Sequence, residues 1–244
     1  MRMFNFAKRC AKEILRDPLT MFFGLGFPVV LLLLLSAIQA NIPVPLFEIE
    51  RLAPGITIFG LAFMSLFAAT LVSRDRETAF LQRLYTSPLK ASDFILGYML
   101  PLLPIGIMQA VICYLVSFAL GLKPDINILY AILLLVPMTV FHIALGLLCG
   151  SMMNTKQVGG ICGALLTNLS AWLSGVWFDL ELVGGTFRKI ADCLPFIHAV
   201  ELEKAVVMGD FSAQAMGHLW PVCAYGVVVT LAAVLMFLRQ MKRQ

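Results

Sequence analysis

His198 and Glu201 are the residues in this sequence whose types and spacing come closest to a chemical site. On a helix, a spacing of three positions puts an imidazole and a carboxylate on one face, where both could ligate a metal ion. They follow Pro195, which separates two helix-like pieces of the chain. Because this is a single pair, a structural hydrogen bond is the favoured interpretation over a metal site.

The motifs of common nucleotide-binding and hydrolytic sites are absent from the sequence. It contains no phosphate-binding G-x-x-x-x-G-K-[ST] loop, no G-x-S-x-G nucleophile motif, no HExxH and no paired Cys-x-x-Cys. The glycines at positions 159, 160 and 163 open an apolar run, so they are not a dinucleotide-binding fingerprint. The sequence therefore predicts no catalytic residue, no metal site and no cofactor on this chain.

His142 is the clearest ionisable residue inside an apolar run, where such groups are costly and often functional. A proton relay and a hydrogen-bonding packing residue are the two interpretations, and the second is favoured. The cores of the apolar runs contain no Asp or Glu. That absence argues against a proton- or ion-driven carrier, which needs such groups near the middle of the membrane.

The composition is that of a membrane protein. Of the 244 residues, 60% are hydrophobic and 13% are charged, and the mean hydropathy is +0.91. A soluble fold of this length cannot bury so much apolar surface. Soluble enzymes, nucleic-acid binders and secreted disulfide scaffolds are thereby excluded.

Six apolar runs are long enough to cross a bilayer as helices. We expect an all-α integral membrane fold in a single domain over residues 1–244. The long, largely apolar segment before the last run predicts a re-entrant helical hairpin, with pieces at 186–194 and 197–208. The predicted spans are about 21–40, 54–72, 94–120, 128–150, 158–178 and 219–238.

Lys and Arg concentrate at the two termini and in the loop 74–90. Because cytoplasmic loops carry the excess of basic residues, this pattern predicts that both termini and that loop are cytoplasmic.

Residues 2–17 predict an amphipathic helix with apolar residues on one side and basic residues on the other. Such a helix lies flat in the lipid headgroup region, and this interpretation is favoured over packing on protein. The basic residues concerned are Lys8, Arg9, Lys12 and Arg16.

The loop between the second and third runs predicts a short amphipathic helix at 78–85 with exposed aromatic residues. Docking to a partner protein and a purely topogenic loop are equally open interpretations of this segment.

In the fifth run, small residues repeat every four positions, and Asn168 adds a polar group. Such a stripe allows close helix packing, either within the subunit or between two copies. Its members are Gly159, Gly163, Thr167, Ala171 and Gly175.

Several segments occur in an order typical of one transporter family: RDP at 16–18, RETAFLQRLYTSPL at 76–89, LSGV at 173–176 and IADCLPFIHAVE at 190–201. With them, essentially the whole chain resembles the membrane subunit (permease) of type-2 ATP-binding-cassette (ABC) transporters of the exporter-like class. The sequence departs from the family pattern at Ala79, Gln82 and Asp179.

The resemblance implies a permease that is not itself an enzyme. It would work as a homodimer or with a close paralogue in the inner (plasma) membrane, with a cytosolic ABC ATPase that holds ATP and Mg. The cargo would be hydrophobic or amphipathic (a drug, peptide antibiotic or lipid). The outer hairpin would gate its exit.

The predicted ATPase-docking residues are Arg76, Glu77, Phe80, Leu81, Arg83, Leu84, Tyr85 and Pro88. The alternative is a membrane-embedded lipid-modifying enzyme with its site within 179–210.

Overall fold

The fold is helical throughout the part of the chain that the structure describes. The structure is a computed structural model, and it describes residues 2–42, 44–78 and 91–242. No β-strand occurs in these three ranges, which agrees with the predicted all-α class. In chain order the helices are α1 (Arg2–Arg16), α2 (Pro18–Asn41), α3 (Ile49–Glu77), α4 (Ala91–Ala119), α5 (Ile126–Met152), α6 (155–173), α7 (Leu180–Val183), α8 (Gly185–Asp192), α9 (Pro195–Val207), α10 (Ala213–Gly217) and α11 (Leu219–Lys242).

Five helical segments in the described ranges are long and apolar enough to cross a membrane. They correspond to the predicted first, second, third, fourth and sixth runs. Their bounds are Pro18–Asn41, Ile49–Glu77, Ser92–Ala119, Ile126–Met152 and Ala213–Gln240. The predicted fifth run is helical as α6, which passes through a π-helical stretch at Gly159–Leu166, but it is not among these five. The structure therefore supports five of the six predicted spans by length and composition.

The helix α3 is the centre of the fold. Its apolar window is 89% buried, whereas the windows of α2 and of α10–α11 are only 22% buried. It packs most extensively against α5 and also contacts α4, α6 and α9. A side chain at Gly150 of α5 would put its Cβ 2.5 Å from the carbonyl oxygen of Ala69, so the two helix backbones approach closely there.

The helix α3 extends several residues beyond the predicted run 54–72 at both ends. Charged residues end the apolar run, but they do not end the helix, because backbone hydrogen bonds continue outside the hydrocarbon. Consequently Arg74, Asp75, Arg76 and Glu77 are still helical. We refer to these four residues as the charged end of α3.

The amphipathic helix predicted at 2–17 is confirmed as α1, and it packs on protein along one face. Phe6, Cys10 and Ile14 are buried, whereas Phe4 and Leu15 are more than half exposed. The ring of Phe6 meets that of Tyr98 edge-on, with centroids 4.8 Å apart. The buried face of α1 therefore packs against α4 and the charged end of α3, while Phe4 and Leu15 remain exposed.

Candidate functional site

The charged end of α3 makes polar contacts with several other helices of the described structure. Successive residues of a helix are about 100° apart, so four consecutive side chains point in four directions. Each of the four reaches a different part of the fold: Arg74 faces Asp17, and Asp75 bonds to Arg9 and Tyr98. Arg76 binds the end of α5, and Glu77 binds the start of α6. The four residues thus connect α1, α4, α5 and α6 through one helix terminus.

Asp75 is a buried carboxylate with two partners. Its side chain is 3% exposed. Both its oxygens accept hydrogen bonds from the guanidinium of Arg9 at 2.6 Å, and Oδ2 also accepts from the hydroxyl of Tyr98 at 2.7 Å. Burying a carboxylate is unfavourable unless it is paired and hydrogen-bonded, and a two-pronged arginine contact satisfies both needs.

The Arg9 guanidinium is held in its charged form by this contact. The hydrogen bond from Arg9 to Asp75 raises the pKa of the guanidinium above its ordinary value, against the opposing effect of burial. A second carboxylate, Glu13, lies 2.9 Å from Arg9. Next to them the Cys10 thiol is fully buried, and that burial raises its pKa to about 12. The first helix is therefore attached to α3 by an ion pair, whereas its apolar face packs against α4.

Arg76 and Glu77 hold the junction between α5 and α6. The Arg76 guanidinium donates to the carbonyl oxygens of Gly150 at 2.8 Å and Met153 at 3.2 Å. Glu77 accepts hydrogen bonds from both the amide and the hydroxyl of Thr155, each at 2.8 Å. A cation at the C-terminus of α5 and an anion at the N-terminus of α6 also match the two helix dipoles.

Of the predicted docking residues, the structure describes only Arg76 and Glu77, and both bind within the chain. The other six lie in residues 79–90, outside the described residues; they are Phe80, Leu81, Arg83, Leu84, Tyr85 and Pro88. That segment follows the charged end of α3 directly.

The four predicted basic residues of the first helix do not share one environment. Arg9 turns inward to Asp75, whereas Lys8, Lys12 and Arg16 follow each other at intervals of four residues and stay at the surface. Sequence reasoning placed Arg9 with the lipid-facing residues. The structure corrects that placement, because the buried Asp75 carboxylate requires a cationic partner.

The small-residue stripe of the fifth run lies largely inside this chain. Thr167, Ala171 and Gly175 are buried, and a Cβ at Gly163 would lie 3.4 Å from the Leu66 side chain. Gly159 has open space around it. Asn168 is exposed and donates to the carbonyl oxygen of Ala164 in its own helix. Of the two open interpretations, packing within the subunit describes the three buried positions.

The closest helix contact is elsewhere, and sequence reasoning missed it. Gly146 and Gly150 of α5 face the backbone of α3 at Ser65 and Ala69. Their G-x-x-x-G spacing is the usual signal for close helix packing in membranes. The signal was present in the sequence, within the predicted fourth span.

The predicted hydrogen bond between His198 and Glu201 does not form, because each has another partner. His198 Nδ1 lies 2.8 Å from His218 Nδ1, and His198 Nε2 lies 2.9 Å from the carbonyl oxygen of Asp192. A carbonyl oxygen only accepts, so His198 Nε2 carries a proton and, in the neutral ring, Nδ1 accepts from His218. Glu201 pairs with Lys204 at 3.2 Å. No group of three or more possible metal ligands occurs in the described residues.

Pro195 stands in the first turn of α9, where its missing N–H costs nothing. The helices α8 and α9 confirm both helical pieces that the sequence predicts around it. Their position relative to a bilayer stays a prediction. Together they border a cavity of about 660 Å³ whose lining includes charged groups of both signs, among them Arg51 and Lys204.

Glu203 is a buried carboxyl group that sequence reasoning missed. It lies on the buried face of α9, and its Oε1 accepts a 2.6 Å hydrogen bond from the hydroxyl of Tyr114 in α4. Burial raises the pKa of Glu203 to about 8. The signal was its spacing from Phe196, Val200 and Val206, which puts a carboxyl on the apolar face of the helix.

His142 is fully buried and packs against aromatic rings. Its ring centroid lies 5.2 Å from that of Phe141 and 6.0 Å from that of Phe196. Among the described residues neither ring nitrogen has a hydrogen-bond partner. The packing role is confirmed, whereas the hydrogen bonds predicted for its imidazole do not form within these residues.

Comparison with known proteins gives a consistent assignment. A family model described as "ABC-2 type transporter" matches residues 2–208. Nodulation protein J of Bradyrhizobium diazoefficiens is 24% identical over 233 residues, which cover 94% of this chain and 86% of that protein. The probable multidrug ABC transporter permease YbhR of Escherichia coli K12 is 22% identical over 204 residues. That match covers 82% of this chain and 54% of YbhR, so the alignment spans about half of that relative.

Proposed function

Because this chain belongs to the ABC-2 type transporter family, we propose that it is the permease subunit of an ATP-driven exporter. A separate cytosolic ABC ATPase hydrolyses ATP and drives it. The observation that carries this proposal is the charged end of α3. It bonds to α1 through Asp75 and to α6 through Glu77, and it leads directly into residues 79–90.

The charged end of α3 suits a part that transmits motion. A partner can shift the equilibrium between two arrangements only through contacts that differ between them. A push on the segment 79–90 would change the Arg9–Asp75 contact and the Glu77–Thr155 contact together, because both belong to one helix terminus. The central helix α3 would carry that displacement across the membrane.

We further propose that both termini are cytoplasmic in the inner membrane, with α6 as a sixth, π-helical crossing. Two copies, or this chain and a close paralogue, would enclose the path. Support comes from the weak burial of α2 and from the exposed face of α6, where Leu165 and Trp172 are about half exposed. The α8–α9 hairpin would gate the exit on the opposite side.

The proposed cargo is hydrophobic or amphipathic, such as a drug, a peptide antibiotic or a lipid. The relative YbhR is named a probable multidrug permease, which supports a cargo of this class. The charged cavity beside α9 would accept a polar headgroup during exit, through groups such as Arg51 and Lys204. A membrane-embedded lipid-modifying enzyme has less support, since its proposed pair, His198 and Glu201, is divided between two other partners.

The test is reconstitution with the ATPase subunit in vesicles. The variant Arg83→Glu/Leu84→Asp changes the proposed docking segment, and the control Lys123→Glu/Ile126→Asp makes the same two charge changes at exposed positions on the other side, outside the α8–α9 hairpin. We expect the first variant to lose ATPase binding and cargo-stimulated hydrolysis, with melting temperatures unchanged in both. Full stimulation in the first variant, or equal loss in both, would contradict the proposal.

A further inference from the structure

A basic cleft of about 760 Å³ opens where α1, α2 and α3 meet. Lys8, Lys12 and Arg16 line it from α1, and Arg74 lines it from the charged end of α3. The three residues of α1 are four positions apart, so they form a row along one side of the helix. The volume falls within the roughly 300–1,000 Å³ of small-molecule sites.

The acidic residues that line the basic cleft already have partners within the chain. Glu13 pairs with Arg9 at 2.9 Å, and Asp17 caps α2 by accepting from the amides of Leu19 and Thr20. In the described ranges no ion pair involves the three cations of α1. Cations gathered without counter-charges attract an anion. The basic cleft is therefore electrostatically prepared for a negatively charged ligand.

The basic cleft lies at the boundary of an apolar surface. Pro18 lines the cleft and also begins the first candidate span. Beside it, Leu15, Leu19 and Phe22 are 62%, 67% and 51% exposed. A free anion would gain nothing from these apolar side chains, whereas an amphiphile with an anionic head would use both surfaces.

We propose that the basic cleft binds the phosphate-bearing headgroup of an anionic phospholipid, with the acyl chains along α2. Basic residues next to a membrane span recognise such headgroups. Because Arg74 lines the cleft and Asp75 holds Arg9, a bound headgroup also fixes α1 against the charged end of α3. The inference stands independently of the cargo and of the ATPase.

The experiment is native mass spectrometry of the purified full chain in detergent, titrated with dioleoyl phosphatidylglycerol or dioleoyl phosphatidylcholine. The test variant neutralises the row on α1. The control neutralises three exposed lysines elsewhere, so that the net charge is the same. The test variant is Lys8→Gln/Lys12→Gln/Arg16→Gln, and the control variant is Lys123→Gln/Lys156→Gln/Lys189→Gln.

We expect phosphatidylglycerol to bind the unmodified chain and the control alike, and phosphatidylcholine to bind far more weakly. Each cation at an anionic lipid surface is worth about fivefold, so the test variant should bind on the order of a hundredfold more weakly. The single variant Lys12→Gln, at an exposed position, should lose about fivefold with an unchanged circular dichroism spectrum.

Four results would overturn the inference. Equal binding of the two lipids would show that the site does not distinguish the net negative headgroup of phosphatidylglycerol from the neutral headgroup of phosphatidylcholine. Equal loss of binding in both triple variants would show a general effect of net charge. Displacement of phosphatidylglycerol by millimolar inorganic phosphate would indicate an anion site that does not use the apolar surface. Retained binding in Lys12→Gln and in the test variant would place the lipid elsewhere.

Discussion

Replacing Arg9 by methionine tests the attachment of α1 to α3. Methionine keeps much of the length and the apolar stem of arginine but removes the charge. The buried Asp75 carboxylate would lose both guanidinium hydrogen bonds and would keep the one from the hydroxyl of Tyr98. A buried carboxylate without its counter-charge is strongly destabilising, so α1 should separate from α3 much more often.

The size of the effect follows from burial. Removing one partner of a buried ion pair costs about 3–5 kcal/mol. The Arg9 side chain is 37% exposed, so solvent screening lowers the expected cost to about 2–3 kcal/mol. At about 1.4 kcal/mol for each factor of ten, the open population rises about 30- to 140-fold.

Cys10 reports this opening. Its side chain is fully buried, and burial raises the pKa of its thiol to about 12, so the folded protein should react slowly with maleimide. In a background with the other five cysteines replaced by alanine, the labelling rate of Cys10 follows the open population. We expect Arg9→Met to label about 30- to 140-fold faster. Arg239→Met, the same change at an exposed position of α11 outside the basic cleft, should label at the background rate.

A compensating variant separates this reasoning from simple loss of contacts. In Arg9→Met/Asp75→Asn the buried charge is gone, and the amide oxygen still accepts from Tyr98. The double variant should therefore label more slowly than Arg9→Met, by about tenfold. An unchanged rate in Arg9→Met, or a double variant that labels faster than the single one, would refute the argument.

Two further predictions concern α9 and the α3–α5 contact. The pKa of Glu203 is raised to about 8, above its ordinary value of 4.5, so the folded protein favours the protonated carboxyl. The stability of the folded protein therefore falls as the pH rises from about 4.5 to about 8. Glu203→Gln should therefore melt like the unmodified chain near pH 4.5 and at a higher temperature near pH 9, and parallel melting curves would contradict this. Gly150→Leu forces a side chain against the Ala69 backbone and should cost about 3 kcal/mol or more in the stability of the purified protein. The control is Gly160→Leu, because Gly160 has open space around it. Equal melting temperatures of these two variants would contradict the close contact between α3 and α5.

The sequence predicted the helices better than their partners. The first helix, five of the apolar runs and both pieces around Pro195 were recognisable, because periodicity and run length are local properties of the chain. The role of Arg9 was wrong, since position on a helical wheel does not indicate whether a basic side chain meets lipid or a carboxylate 66 residues later. His198 was likewise assigned to Glu201, three positions away, while its partner His218 lies in a later helix segment.

Some of the missed features had left a trace in the sequence. The glycines 146 and 150 formed a recognisable packing motif, and Glu203 occupied the apolar face of its helix. Neither pattern identifies its partner. The close backbone of α3 at Ala69 and the hydroxyl of Tyr114 are known only once the helices are packed.

By itself, the sequence determined that this chain is a helical membrane protein of the ABC-2 type. Hydropathy, charge bias and the order of motifs are properties of the linear sequence and do not depend on how the helices pack. Only the tertiary structure decided which charges of the described residues are paired inside the protein and which stay unpaired at the surface. Pairing depends on distances between helices that are far apart in sequence. The four consecutive charges at the end of α3 are therefore one inward carboxylate, one cation that binds the end of α5, one carboxylate that binds the start of α6, and one cation that lines the basic cleft.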